Sequence, residues 1–518
     1  MTSLSSENTG QISGFKFQRL LTVGLLIAVF TVLFYSAFLL FLGNQPVVGL
    51  LVLVVAVCFG IVFSTKRLYA HRFILPGIAA VLIFIAFPVG YTVYLGFTNF
   101  SSFNLLSHER VREIHLAKKI VDQETSRGFS VWQQGDTYRL YITGKENGYL
   151  SEPFEKNVTQ HTVKAEAAPM PSTEKLSMRD TIKLRKALGE ISVQLPDGVI
   201  LKNSGLRKFA AQMPEFRETP EGVLISNLDG SRLFPNSETG FYTNEMTGEH
   251  VSPGWRVYIG LTNFKRIFQS EGIRAPMFSI FLWTCLFALL SVGLTFILGL
   301  ALAVTLQWPH LRGKAVYRIL LILPYAVPAF ISILIFRGLF NQNFGEINMI
   351  LNGLFGIRPS WMTDGGMART MLVIVNVWLG YPYMMLLAMG FLQSVPEDHK
   401  KAATLEGASA LLIFRKITFP QILPPFLPLL VASFAFNFNN IVLVLLLTRG
   451  LPDIPGTIIP AGQTDILGSF TYRIAFQNAG QEYGLAGAIT LIIFVIVAAL
   501  AYANFVAMRR QAAKRAAS

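Results

Sequence analysis

Two stretches of this chain set carboxamides beside aromatic rings at helical spacing. In Ser433-Phe-Ala-Phe-Asn-Phe-Asn-Asn440, residues Ser433, Phe436, Asn437 and Asn440 fall at i, i+3, i+4 and i+7, which is one face of a helix with 3.6 residues per turn. Between 376 and 383, Asn376, Gly380 and Tyr383 fall at i, i+4 and i+7 and share a face in the same way. A carboxamide both donates and accepts, which suits a neutral polyhydroxylated ligand, and the rings of Phe436 and Tyr383 offer flat surfaces to the apolar side of a sugar. The same amides have a second reading. Asn in a membrane helix often bonds across to a neighbour, worth about 0.6–2 kcal/mol, because an unpaired amide in hydrocarbon costs on the order of a few kcal/mol. Spacing alone leaves interhelical bonding and a carbohydrate site both open.

The elements that carry these residues are membrane spans. Hydrophobic residues make up 52% of the 518, charged residues only 14%, and Phe alone contributes 42; mean hydropathy is +0.48. An ordinary soluble globule is excluded by these values. Apolar runs of roughly 18 residues or more, the length that crosses a bilayer core as helix, begin near Leu20, Val47, Phe73, Met277, Val316, Met371, Pro425 and Leu485. The expected fold is an all-α polytopic membrane protein of about eight transmembrane helices with a large, mainly β extracytoplasmic insertion. The first run is too long for a cleaved leader and no small-residue cleavage site follows it, so both ends are expected to be retained.

Basic residues recur in every second loop: Lys16 and Arg19; Lys66, Arg67 and Arg72; Arg312, Lys314 and Arg318; Lys400, Lys401, Arg415 and Lys416; Arg509, Arg510, Lys514 and Arg515. Short loops rich in Lys and Arg stay in the cytoplasm, which predicts both termini there. The net charge of +14 needs no nucleic acid, since residues 101–250 hold 19 basic against 20 acidic residues and the surplus lies in the membrane part. Cys58 and Cys285 fall inside predicted spans, so no exported disulfide is expected.

Between the third and fourth spans, residues 98–276 have the composition of a soluble domain, flanked by a three-helix part (1–97) and a five-helix part (277–518). Alternating runs at 137–143, 191–195 and 222–226, punctuated by Pro196-Asp-Gly198 and Asp229-Gly230, predict strands and hairpins. A more helical stretch runs from Ser172 to Gly189. Gly96-Phe-Thr-Asn-Phe100 is echoed by Gly260-Leu-Thr-Asn-Phe264, which marks the segment between them as inserted.

The spans from Met277 onward are nearly free of ionisable residues, Arg337 standing at the end of one. Ion-driven carriers need charged or ion-ligating clusters near the midplane, so direct ion coupling is disfavoured. Pro324 and Pro328 predict a kink in the fifth span, while Pro424, Pro425 and Pro428 are expected in the first turn of the seventh. Asn99-Phe-Ser and Asn157-Val-Thr match the frequent glycosylation triplet. No phosphate-binding G-x-x-x-x-G-K-[ST] loop, catalytic constellation or metal-ligand spacing occurs, and His71 and His310 sit in basic loops as solvated residues. Neither a metal nor any other cofactor is expected on this chain.

Between the sixth and seventh spans, Lys401-Ala-Ala-Thr-Leu-Glu-Gly-Ala408 is closed by Ile417-Thr-Phe-Pro420. This segment, within 394–424, resembles the cytoplasmic "EAA" loop of permease subunits in bacterial ATP-binding-cassette importers, a short helix that docks on a separate ATPase. The resemblance assigns that contact to Lys401, Ala402, Ala403, Glu406, Gly407, Ala408, Ile417 and Pro420. Longer phrases narrow it: Arg312-Gly-Lys-Ala-Val-Tyr-Arg318, Leu323-Pro-Tyr-Ala-Val-Pro328, Leu339-Phe-Asn-Gln342 with Phe344-Gly-Glu-Ile-Asn348, Trp378-Leu-Gly-Tyr-Pro-Tyr-Met-Met385 and Ala432-Ser-Phe-Ala-Phe-Asn-Phe-Asn-Asn440. With these the chain resembles the larger permease subunits of bacterial maltose/maltodextrin importers from about Lys16 to its last helix.

The resemblance implies that Asn376, Leu379, Gly380, Tyr383, Ser433, Phe436, Asn437 and Asn440 contact the sugar. It also implies a bacterial inner-membrane assembly with a smaller permease subunit, two copies of an ATPase subunit that binds the ATP, and a soluble periplasmic sugar-binding protein reached by the inserted domain. Two positions depart from the pattern: Lys401 stands where the loop usually opens with Glu, and Gly450-Leu-Pro452 where many relatives have Gly-Gly-Pro. The first puts one contact with the ATPase in doubt, and Glu397, Asp398 or Glu406 could supply the charge instead. Two other classes remain: an ion-coupled secondary sugar carrier, which the charge-poor helices oppose, and a membrane-anchored sensor or assembly factor, which the paired polar faces and docking segment oppose.

Overall fold

The computed structural model describes residues 7–517 except 44, 145, 146, 158 and 160. Val158 of the second glycosylation triplet therefore lies outside the described residues, as do the side chains of Lys16, Arg19, Arg510, Lys514 and Arg515. The chain divides into two compact units, one formed by residues up to Thr98 together with Gly260–Ser518, the other by Asn99–Ile259.

Among the described residues of the helical unit, seven helices are long and apolar enough to cross a membrane: Val23–Leu42, Pro46–Ser64, His71–Gly96, Glu271–Gln307, Gly365–Gln393, Ala410–Phe438 and Tyr483–Ala503. A bent pair, Lys314–Ala326 meeting Ala329–Leu339 at 91°, makes eight when the two halves are counted as one span. The expected kink is here a full bend, with a physical cause. Pro324 opens a tight 3₁₀ turn at Leu323–Ala326, and Val327 is extended (φ −100°, ψ 128°) ahead of Pro328, as a residue before proline prefers. The seventh span differs from expectation. The chain is already helical from Ala410, so Pro424, Pro425 and Pro428 lie inside the helix Phe419–Phe438, and Pro420 takes its first turn.

Small residues let the spans approach, the usual device where lipid gives helices no hydrophobic reason to associate. A Cβ on Gly299 of the fourth span would lie 2.7 Å from Met384 Cβ and from the Met385 backbone nitrogen of the sixth. One on Gly96 of the third would lie 3.0 Å from the Ala488 nitrogen of the eighth. The second phrase of the sequence echo belongs to this unit: Asn263, buried, donates from Nδ2 to the carbonyls of Gly96 (3.0 Å) and Thr98 (2.9 Å). Residues 260–276 thus go with the helices, where the short helix Thr262–Gln269 buries Ile267 completely.

The inserted unit is built from two sheets. In the larger, strands 127–134, 137–142, 148–151, 161–168, 191–194, 200–203 and 208–214 are hydrogen-bonded in a ring, because 208–214 pairs with both 127–134 and 200–203. All of these pairings are antiparallel except 161–168 with 191–194. Alternate residues point inward, and Leu140, Val163, Val193, Leu201 and Phe209 have no exposed surface. The predicted helical stretch forms Met178–Lys183 and Arg185–Glu190, whose flank supplies Leu184 and Leu188 to the same core. The smaller sheet is an antiparallel meander through 216–218, 224–226, 232–236, 241–244 and 250–251. It shares a core of Val111, Phe216, Leu224, Leu233, Tyr242 and Trp255 with the helix His108–Ala117. Asn99, in the first echo phrase, ties the entering segment of chain to the leaving one. Its Oδ1 accepts the Val257 N–H (2.8 Å) and its Nδ2 donates to the Thr239 (2.8 Å) and Trp255 (3.1 Å) carbonyls.

Candidate functional site

The sixth span starts at an Asp364 cap, whose side chain accepts the Met367 N–H, and carries Asn376, Leu379, Gly380 and Tyr383 at its middle. Gly380 lies against the fourth span, where an added Cβ would meet Thr295 Cγ2 at 2.8 Å. The seventh span carries Ser433, Phe436 and Asn437, but its helix ends at Phe438. Asn440 is therefore not on the helical face that the spacing predicts. Asn439 (φ −112°, ψ 17°) and Asn440 (φ −76°, ψ 65°) form a break before a second helix, Ile441–Leu447. Asn side chains compete for backbone groups and are weak helix formers, so two in succession are a natural place to stop.

All eight residues nevertheless line one cavity of about 780 Å³, within the range of about 300–1,000 Å³ usual for small-molecule sites. The same cavity is bounded by Thr295 of the fourth span, Tyr325, Ala329 and Ile333 of the broken fifth, and Asn439, Ile441 and Val442 at the break. Sequence reasoning missed these, since nothing in local spacing brings the fifth span to the sixth and seventh. The break itself had a signal in Asn439-Asn440. None of the lining residues is Asp, Glu, Lys, Arg or His.

Within the cavity the amides bond to each other. Asn376, only 6% exposed, donates from Nδ2 to Asn437 Oδ1 at 2.6 Å and accepts from Asn440 Nδ2 at 3.3 Å. Asn437 Nδ2 donates to the Ser433 carbonyl at 2.8 Å. Each –NH₂ has two hydrogens and each carbonyl oxygen two lone pairs, so the cluster is joined across the sixth and seventh spans without being saturated. Phe436 is 70% and Tyr383 39% exposed, leaving two ring faces open beside the amides. Neutral hydrogen-bonding groups flanked by uncovered rings can hold a neutral polyol.

Comparison with known proteins agrees over nearly the whole length. Residues 106–260 match the family model of the maltose transport system permease protein MalF P2 domain, and residues 276–511 that of the binding-protein-dependent transport system inner membrane component. The maltose/maltodextrin transport system permease protein MalF of Klebsiella aerogenes is 45% identical over 92% of this chain and 94% of its own. That of Vibrio cholerae is 46% identical over 91% of both chains, and that of Escherichia coli K12 is 43% identical over 98% and 99%. The chain belongs to this MalF permease family.

In the permease the segment between the sixth and seventh spans is a short helix, Glu397–Leu405, followed by a tight turn and a second short helix, Ala410–Ile413, capped by Ser409. Gly407 has φ +82°. The Gly407 N–H bonds to the Thr404 carbonyl (3.0 Å) and the Ala408 N–H to that of Ala403 (3.0 Å), the paired bonds of a helix end that requires a left-handed residue, which glycine supplies at least cost. Lys401 Nζ lies 3.4 Å from Glu397 one turn earlier, both exposed. Ala402 and Glu406 are exposed too, Ala403, Ala408 and Ile417 partly covered, and Pro420 exposed at the entry to the seventh span. Leu405 and Leu411, 90% and 76% exposed, stand beside them as uncovered apolar surface.

Proposed function

We propose that this permease, with a second, smaller permease subunit, forms the pathway for maltose and maltodextrin-type oligosaccharides. ATP hydrolysis is supplied by a homodimeric ATPase subunit and sugar by a soluble periplasmic binding protein. The chain itself is non-catalytic and binds no cofactor. It lies in the bacterial inner membrane with both termini in the cytoplasm and the inserted domain in the periplasm, in line with the alternating basic loops.

The observation that carries this reading is the convergence of Asn376, Leu379, Gly380, Tyr383, Ser433, Phe436, Asn437 and Asn440 on one uncharged cavity, in a chain whose relatives are maltose/maltodextrin permeases. ATP binding closes the ATPase dimer. The segment 397–420, continuous with the sixth span on one side and the seventh on the other, passes that movement to the two helices joined by the amides. As the spans separate, the amide–amide bonds exchange for bonds to sugar hydroxyls, and the cavity alternates between the two sides of the membrane.

The test is ATP-dependent uptake of labelled maltose into vesicles holding the permease with its neighbouring permease, ATPase and binding protein, against vesicles lacking this chain. Uptake that needs all components supports the reading. Uptake that collapses with an ion gradient while ATP is present would favour a secondary carrier.

A further inference from the structure

We infer that Arg337 and Arg449 form a positively charged rim at the outer end of the cavity, receiving acidic side chains of the soluble binding protein; the inference rests on the importer reading above. Arg337 stands one helical turn beyond Ile333, a lining residue, and its Nη1 donates to the Leu446 carbonyl at 3.3 Å. Leu446 is in turn one helical turn beyond Val442, which also lines the cavity. Arg449 follows in the turn Thr448–Leu451 and is exposed. Both arginines come after the cavity at the far ends of spans, the bent fifth from Lys314 and the seventh from Ala410, that start beside basic loops.

Their surroundings set them apart from Arg473, which follows in the same stretch of chain and takes two carboxylates. Among the described residues neither Arg337 nor Arg449 enters an ion pair. Arg449 also has φ 59°, followed by Gly450 at φ 83°, with the Leu451 N–H returning to the Thr448 carbonyl at 3.1 Å. A turn with positive φ at both central positions favours Asn-Gly, and a bulky side chain is strained there. The turn does not account for the arginine, whereas its charge does something asparagine cannot. Sugar entering the cavity from outside passes this rim, so a protein delivering it lies over these two guanidinium groups. Uncompensated charge at such a place speeds encounter with an acidic surface and is screened by salt.

The test uses the full complex in nanodiscs, with ATPase rate followed against the concentration of maltose-loaded binding protein at about 0.01 M and about 1 M salt, where the screening lengths are roughly 30 and 3 Å. Arg449→Asn and Arg337→Gln are each expected to raise KM for the binding protein by roughly tenfold at low salt with the maximal rate kept. At high salt they should match the wild type. Arg337→Lys should recover most of the loss, and Arg449→Asn relieves the turn, so misfolding is controlled at both positions. Unchanged KM in both variants overturns the proposal, as does a shift equally large at high salt. A shift seen only with anionic lipid assigns the rim to headgroups instead. Wild-type complex that no loaded binding protein stimulates would sink the importer reading itself.

Discussion

The cluster of Asp465, Arg473 and Asp453 and the cluster of Asn376, Asn437 and Asn440 are both polar and both set among apolar helices, yet they are built in opposite ways. Asp465 has no exposed surface and accepts from Gly462 N–H (2.8 Å), Ser469 Oγ (2.7 Å) and Arg473 Nη1 (2.7 Å). Arg473 Nη2 reaches Asp453 at 2.6 Å. Gly450 and Gly462 permit this approach, since a Cβ on Gly450 would collide with Asp465 and one on Gly462 with the Gly450 carbonyl. The Asp465–Arg473 pair is buried, with the Asp465 carboxylate nearly saturated and Arg473 Nε left without a hydrogen-bond partner, and the pair fixes the chain between the seventh and eighth spans. The amide cluster is uncharged, borders a cavity and retains unused donors. Saturation marks a group that holds structure, and spare capacity beside open volume marks one that can exchange partners with a ligand.

The largest expected effect comes from breaking the saturated side. Asp465→Asn leaves Arg473 buried with only the half-exposed Asp453 as counter-charge, and loss of one partner from a buried pair costs about 3–5 kcal/mol. A marked drop in Tm of the purified complex is expected, with uptake falling in proportion to the surviving protein. An unchanged melt would erase the distinction between the clusters. On the other side, Asn437→Leu removes the acceptor of Asn376 at a cost of about 0.6–2 kcal/mol. It should abolish uptake while the permease still co-purifies with its partners. Loss of assembly instead would return the amides to interhelical bonding.

How far the sequence reaches follows the same division. Period and composition located the spans, because twenty apolar residues in a row have few alternatives, and the faces of Asn376 and Asn437 came from helical spacing. Helical spacing puts Asn440 on a helix that stops at Phe438, since propensity decides a break that periodicity cannot see. The prolines at 424, 425 and 428 misled in the other direction: they read as a helix start, but the chain is already helical from Ala410, and neighbouring groups can satisfy what proline leaves unpaired. Thr295, Tyr325 and Ile333 were invisible because they arrive through packing of distant spans. Asp465 and Arg473 are eight residues apart, and nothing in that interval announces a buried pair.

The inserted domain holds an intermediate case. His115 is 1% exposed; its Nε2 bonds to the Pro253 carbonyl at 3.1 Å, while Nδ1 has no hydrogen-bond partner. Burial pushes its pKa below the ordinary value, so the folded domain binds fewer protons than the unfolded chain as pH falls below about 6.5. Stability is then complete above that value and is lost as pH drops toward the folded pKa. In the intact complex, proteolysis of the inserted domain should accelerate more between pH of about 7.5 and about 5.5 in wild type than in His115→Phe, which has nothing to protonate there. Equal acceleration in both would mean that carboxylates, not this histidine, set the acid limit.

The smallest effect on folding is expected at Lys401, whose pairing with Glu397 is exposed at both ends and contributes a few tenths of a kcal/mol. Lys401→Glu sets two like charges one turn apart at a similar penalty, so Tm should barely move. The Ala403 and Thr404 carbonyls that end the helix at Gly407 are untouched, and the segment keeps its shape. Any change in ATPase coupling therefore reports the proposed contact surface and not the fold of the segment. Weaker assembly would show that the cognate ATPase presents an acidic or neutral group to Lys401, matched to the substitution. Faster transport would show that the ATPase still presents a basic group, and that this permease has been working against it.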